Sequence, residues 1–229
     1  MKTGILSKTN PVDKARARCK KKFLFYFNKG FATQKYYDWE RGYKWEAHVL
    51  WLELLNKKEY KRLLDEGEYS EIANRAARIE SKTNLLFSFE KMALRDAIKS
   101  TEGAKIFAEG LYKYVYGTGK LQKRFEEWIA AVASLPRKQT RVLTWPLVTV
   151  FGFIANPVEH IFLKPRVTKI AAEKYNFDFQ YSSKPNWETY NNYLAFAEQV
   201  GADVIDLHPK DLIDIQSFLW VMGSDEYPD

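Results

Sequence analysis

Apolar residues recur every three or four positions along most of this chain, and that period leaves packed α-helices as the way to bury them. Ala47, Leu50, Trp51, Leu54 and Leu55 form one stripe, Ile72, Ala76 and Ile79 a second, and Leu85, Leu86, Phe89, Met92 and Ala93 a third. The spacing continues through Ile106, Phe107, Leu111, Tyr114 and Val115, then through Leu121, Phe125, Trp128, Ile129 and Val132. Gly67, Gly117 to Gly119 and Pro136 fall between the stripes, where helix hairpins need turns. No long alternating run interrupts the pattern. FDFQYSS, residues 177–183, alternates briefly, but a lone strand would have nothing to pair with, so it reads as an extended loop. The expectation is a mainly α, multi-helix globular bundle with little or no β.

The C-terminal half starts its helices with proline, whose missing N–H costs nothing in the first turn. Pro146, Pro157, Pro165, Pro185 and Pro209 each precede a helix-compatible segment. HPKDLIDIQSFLWVMG, with Leu212, Ile215, Leu219 and Met222 on one face and Gly223 at its stop, is the clearest helix. Gln216 within it reads as a satisfied buried amide. With 229 residues the chain reads as one mainly helical domain, 1–229, with a subdomain seam near 136–140 and a basic N-terminal segment, 1–40. The 46% hydrophobic and 28% charged residues are those of a folded protein and not of a disordered one.

TWPLVTVFGFIANPVEHIFLKP, residues 144–165, is the most apolar stretch. Proline, asparagine and glutamate break it well short of the roughly 20 residues that a spanning helix needs, so it reads as a buried helix. The opening MKTGILSKTNP lacks the apolar core of a signal peptide, and Cys19 is the only cysteine, which excludes an intrachain disulfide. The expected location is cytoplasmic.

Charge is laid out unevenly. Residues 1–40 carry ten basic residues against three acidic ones, an excess equal to the net charge of +7 for the whole chain. From Gly201 onward Asp203, Asp206, Asp211, Asp214, Asp225, Glu226 and Asp229 face only Lys210. Lys14, Arg16, Arg18, Lys20, Lys21 and Lys22 cluster just before the aromatic run FLFYF. Such clusters reward phosphate backbones by counterion release, and exposed aromatics stack on unpaired bases, so nucleic acid is the first expected partner. The same residues could instead dock on the acidic C-terminal region of this or a neighbouring protomer, which would make self-association a second expectation.

An enzyme or a small anionic-ligand protein is the reading from another class, with a pocket near 144–169 and the last helix. Its candidate acids and bases are Glu90, His160 and Asp214; Lys164, Arg166, Thr168 and Lys169, at a proline-started helix, are its candidate anion binders. An interaction module, such as a toxin or antitoxin, is a third reading. YGTGKL resembles the end of a phosphate-binding loop, but Tyr114 and Leu121 stand where that motif needs glycine and Ser or Thr, so it reads as a helix-ending turn. Trp45, Pro157 and Ile205 stand three residues before His48, His160 and His208, so the Glu-x-x-His spacing of carboxylate-bridged metal bundles is missing. No G-x-S-x-G occurs. No metal and no cofactor is implied, and His208, ahead of Pro209, reads as a helix cap.

Overall fold

The structure, a computed structural model, describes residues 10–136 and 141–229. In chain order its helices are α1 (Pro11–Tyr26), a 3-10 turn (Gly30–Ala32), the single turn α2 (Gln34–Tyr36), a π-helical turn (Tyr37–Arg41), α3 (Gly42–Leu54), α4 (Lys57–Asp65), α5 (Tyr69–Glu80) and α6 (Ser88–Ala97). Then come α7 (Thr101–Tyr116), α8 (Leu121–Ser134), α9 (Trp145–Ala155), α10 (Pro165–Tyr175), α11 (Trp187–Asp203), a 3-10 turn (Ile205–Leu207) and α12 (Leu212–Gly223). The described residues contain no strand, and the fold is mainly α. Residues 177–182 form neither helix nor strand, as expected of a loop at FDFQYSS. No helix among the described residues is long and apolar enough to cross a membrane.

Every residue of α9 is buried, which answers the question raised by its all-round apolar sequence. Phe151 lies between Trp51 of α3 and Phe107 of α7, with ring centroids 6.5 and 5.2 Å away. The Trp128 indole of α8 donates to Val148 O at 2.8 Å. Gly152 is needed because a Cβ there would meet the Tyr114 ring at 2.7 Å. After α9 the chain returns through the core as the buried, irregular segment Ile161–Leu163, and side chains satisfy its backbone. Tyr190 Oη accepts from Ile161 N at 3.1 Å, Thr149 Oγ1 from Leu163 N at 3.0 Å, and Tyr193 donates to Phe162 O at 3.1 Å. The 137–140 part of the expected seam lies outside the described residues.

Side chains that accept the first free N–H groups set several helix starts. Asn10 takes Val12 N, Asn56 takes Glu59 N, Ser100 takes Gly103 N and Asn186 takes Thr189 N. The Asn56 cap separates α4 from α3, a break that the apolar period did not reveal. Three expectations need correction. Pro157 opens a turn and not a helix, because the Asn156 carbonyl takes His160 N and sends the chain inward. His208 caps no helix start: it closes the 3-10 turn in the left-handed conformation, and Asp211 caps α12. The third stripe is out of phase, since Phe89 and Met92 are 57% and 65% exposed while Glu90, Ala93, Leu94 and Ala97 face inward.

Candidate functional site

Glu40 and Arg41, adjacent in the π-helical turn, are both buried, at 3% and 5% exposure. The turn closes through Gly42 N–H to Tyr37 O, and a Cβ at Gly42 would stand 3.0 Å from that same oxygen. Turns of this type concentrate at functional sites because the extra residue redirects side chains. Here it aims Arg41 at the last helix and Glu40 at the tail.

Arg41 donates to Asp211 Oδ1 at 2.9 Å and Oδ2 at 2.6 Å, and to Asp214 Oδ1 at 2.6 Å. Asp214 also takes the Tyr36 hydroxyl at 2.6 Å and Lys210 N at 2.7 Å. Lys44, one turn along α3, donates to Glu40 Oε2 at 3.0 Å and to Ser217 Oγ at 2.8 Å, while the Tyr227 hydroxyl donates to Glu40 Oε1 at 2.6 Å. Burial pushes the Lys44 ammonium below its usual value against the pull of Glu40. Burial, with Asp214 beside one phenol and Glu40 beside the other, raises Tyr36 and Tyr227, so both stay protonated donors. Each ion has its partner, and removing one member of such a set typically costs about 3–5 kcal/mol. The network locks α12 and the tail onto the π turn.

Asp214, a candidate acid or base from the sequence, is thus a buried tie point. Glu90 and Lys164 are brought together: Lys164 Nζ lies 3.1 Å from Glu90 Oε2, 3.2 Å from Leu85 O and 3.4 Å from the centre of the Phe87 ring. Glu90 also takes Phe87 N at 2.7 Å and so caps α6. His160, fully buried, lies 4.5 Å from the Tyr114 ring centre. Its Nε2 is 3.2 Å from Glu159 Oε2 but off the line of a hydrogen bond, and Arg124 holds the same carboxylate. Burial lowers the His160 pKa, with Glu159 opposing. Asp214, the Glu90–Lys164 pair and His160 have separate partner sets, so the structure does not assemble them into one pocket. The four candidate anion binders also diverge. Lys164 turns to Glu90, exposed Arg166 pairs with Asp225 at 2.9 Å, Thr168 is buried, and Lys169 lies 4.9 Å from the Tyr181 ring centre. Gln216 is buried, yet its Oε1 has no hydrogen-bond partner among the described residues, contrary to the expectation of a satisfied amide.

The basic helix α1 docks on the acidic part of its own chain. Arg16 pairs with Asp203 at 3.2 Å, Lys20 with Asp206 at 2.6 Å and Lys22 with Asp229 at 2.6 Å. Lys174 of α10 reaches the same Asp229 at 2.7 Å, and the Tyr26 hydroxyl donates to Pro228 O at 2.6 Å. Lys14, Arg18 and Lys21 are exposed and form no ion pair among the described residues. A cleft of about 750 Å³ opens along this helix, walled by Arg18, Lys21, Lys22 and Phe25 on one side and by Lys174 and Met222 on the other. Phe25 stands 79% exposed at its rim, while Phe23 and Phe27 of the same aromatic run are buried. The sequence pointed to α1 but could not tell which of its charges were already paired.

No family model, curated protein or solved structure matches this chain.

Proposed function

We propose that the chain binds single-stranded nucleic acid along α1, with phosphates on Lys14, Arg18 and Lys21 and a base against Phe25. Spacings of four, three and four residues put Lys14, Arg18, Lys21 and Phe25 on one helix face, a stripe of roughly 16 Å. The observation that carries the reading is Phe25. An exposed ring at a concave rim, beside cations that have no ion pair among the described residues, is the combination by which sequence-tolerant proteins hold unpaired strands. The Lys22 and Lys174 ammonium groups in the same cleft are already held by the Asp229 carboxylate, which stands where a further phosphate would. The enzyme reading lacks a comparable observation, because its candidate residues have separate partners.

The test is fluorescence anisotropy of labelled oligo-dT and oligo-rU over a salt series starting at about 50 mM. Arg18→Gln with Lys21→Gln is expected to weaken binding and to flatten the slope of log affinity against log salt by about 0.7 per lost contact. Phe25→Ala is expected to lose about tenfold or more in affinity at unchanged slope, since stacking is not a counterion effect. No binding by the wild-type chain at the lowest salt, or binding that ignores both variants, overturns the proposal.

A further inference from the structure

A separate pocket of about 260 Å³ is lined by four aromatic rings, two carboxylates and the Asn84 amide. Trp39 and Glu40 come from the π turn, Tyr43 from α3, Trp220 from α12, and Glu226 and Tyr227 from the tail. It shares no lining residue with the α1 cleft. We infer that this pocket binds an organic cation of the methylated or quaternary ammonium type.

The electrostatics favour a cation. Two carboxylates line the pocket, and one ammonium, Lys44, is held by Glu40. Glu226 forms no ion pair among the described residues; its Oε2 instead takes the Trp220 indole N–H at 3.0 Å. The Tyr227 hydroxyl likewise donates to Glu40 at 2.6 Å. A phenol or indole that donates to a carboxylate gains electron density in its ring, which deepens the negative potential over the ring face. Such faces attract cations within about 6 Å, Trp most strongly. Two of the four rings already carry a lysine of the chain, Lys35 Nζ 4.3 Å from the centre of Trp39 and Lys44 Nζ 5.3 Å from that of Tyr43, so a ligand cation would take the faces they leave.

Hydrogen bonding decides which cation. A primary ammonium needs acceptors for three N–H groups. Each oxygen of Glu40 already takes a donor, one from Tyr227 and one from Lys44, and Glu226 takes Trp220 on Oε2, so Glu226 Oε1 and the Asn84 amide oxygen are the acceptors that remain for three N–H groups. The pocket therefore offers charge and ring faces more than free acceptors. A methylated ammonium asks for charge and faces alone, and it leaves water at lower cost. The small volume suits a head group and not a large ligand. The head group could belong to a free metabolite or to a methylated lysine side chain, and both present the same chemistry.

The experiment is isothermal titration of the full chain with choline, with a short peptide bearing trimethyl-lysine, with the unmethylated peptide, and with 3,3-dimethylbutanol, the neutral isostere of choline. Saturable binding of choline or of the trimethylated peptide, with the isostere and the unmethylated peptide at least about tenfold weaker, is expected for a cation–π site. Which of the two binds better identifies the source of the head group. Trp39→Ala and Glu226→Gln alter exposed side chains, so the fold should survive, and circular dichroism checks this; each should weaken binding about tenfold. Absence of saturable binding by both methylated probes, equal binding of the neutral isostere, or wild-type affinity in either folded variant overturns the inference.

Discussion

The Tyr227 hydroxyl donates to Glu40 Oε1 at 2.6 Å across 187 positions of sequence, and this one bond joins the tail after α12 to the π-helical turn before α3. Because Glu40 is buried, the loss of a donor there leaves a charged oxygen without compensation. Tyr227→Phe keeps the ring and removes only the hydroxyl. The expected cost is about 1.5–3 kcal/mol, the range for a hydrogen bond to a charged group. Urea denaturation of both proteins measures it as a lower midpoint at constant slope, and an unchanged midpoint would show that the bond adds nothing in solution.

Phe151, at the centre of α9 and in contact with the rings of Trp51 and Phe107, carries the second prediction. Phe151→Ala should cost about 3–5 kcal/mol, since the helices around α9 cannot all move in to fill the space. A loss below about 1 kcal/mol would mean that the core collapses around the gap or that α9 is not buried in solution.

How far the sequence could be read follows from the range of each signal. α9 and α12 were legible because a run of apolar side chains states its own burial. The phase of α6 was not. Glu90 turns inward to cap Phe87 N and to meet Lys164, 74 positions away, and Phe89 and Met92 are left outside. A local period carries no information about that distant lysine. Polarity marked α1 as basic and the C-terminal region as acidic. That they meet through Asp203, Asp206 and Asp229 depends on how the helices stack. The aromatic pocket had no sequence signature, because its walls come from the π turn, α3, Asn84 between α5 and α6, α12 and the tail, and the π turn itself is one extra residue in an otherwise helical stretch.

His160 gives a pH dependence with a definite sign. Burial holds its folded-state pKa below the usual 6.5, against the pull of Glu159 and alongside the repulsion of Arg124. The unfolded chain therefore takes up the proton first as pH falls. Stability present at neutral pH should be lost progressively below about pH 6.5, and the loss should continue down to the lowered folded-state value. His160→Phe removes the titrating group and two ring nitrogens that have no hydrogen bond among the described residues, so its stability should change less than that of the wild type between about pH 7 and pH 5. Chemical denaturation of both proteins across that range reads the difference, and parallel curves would mean that the ring is protonated alike in the folded and unfolded chains.

Asp229 occupies the position that a ligand phosphate would take between Lys22 and Lys174, and those two ammonium groups hold its carboxyl down at about 2. All three side chains are at least partly exposed, so the ion pairs themselves should contribute little, about 0–1 kcal/mol. Asp229→Asn is therefore expected to leave the melting temperature nearly unchanged while freeing two cations in the α1 cleft. If that cleft binds single strands, the variant should bind oligo-dT more tightly than the wild type. Its salt slope should be steeper by up to about 0.7 for each lysine that now meets a phosphate. Lys22→Gln added to Asp229→Asn should reverse part of the gain. Tighter binding without a steeper slope would point to rearrangement of the tail and not to release of the lysines, and no gain at all would place the strand away from this pair.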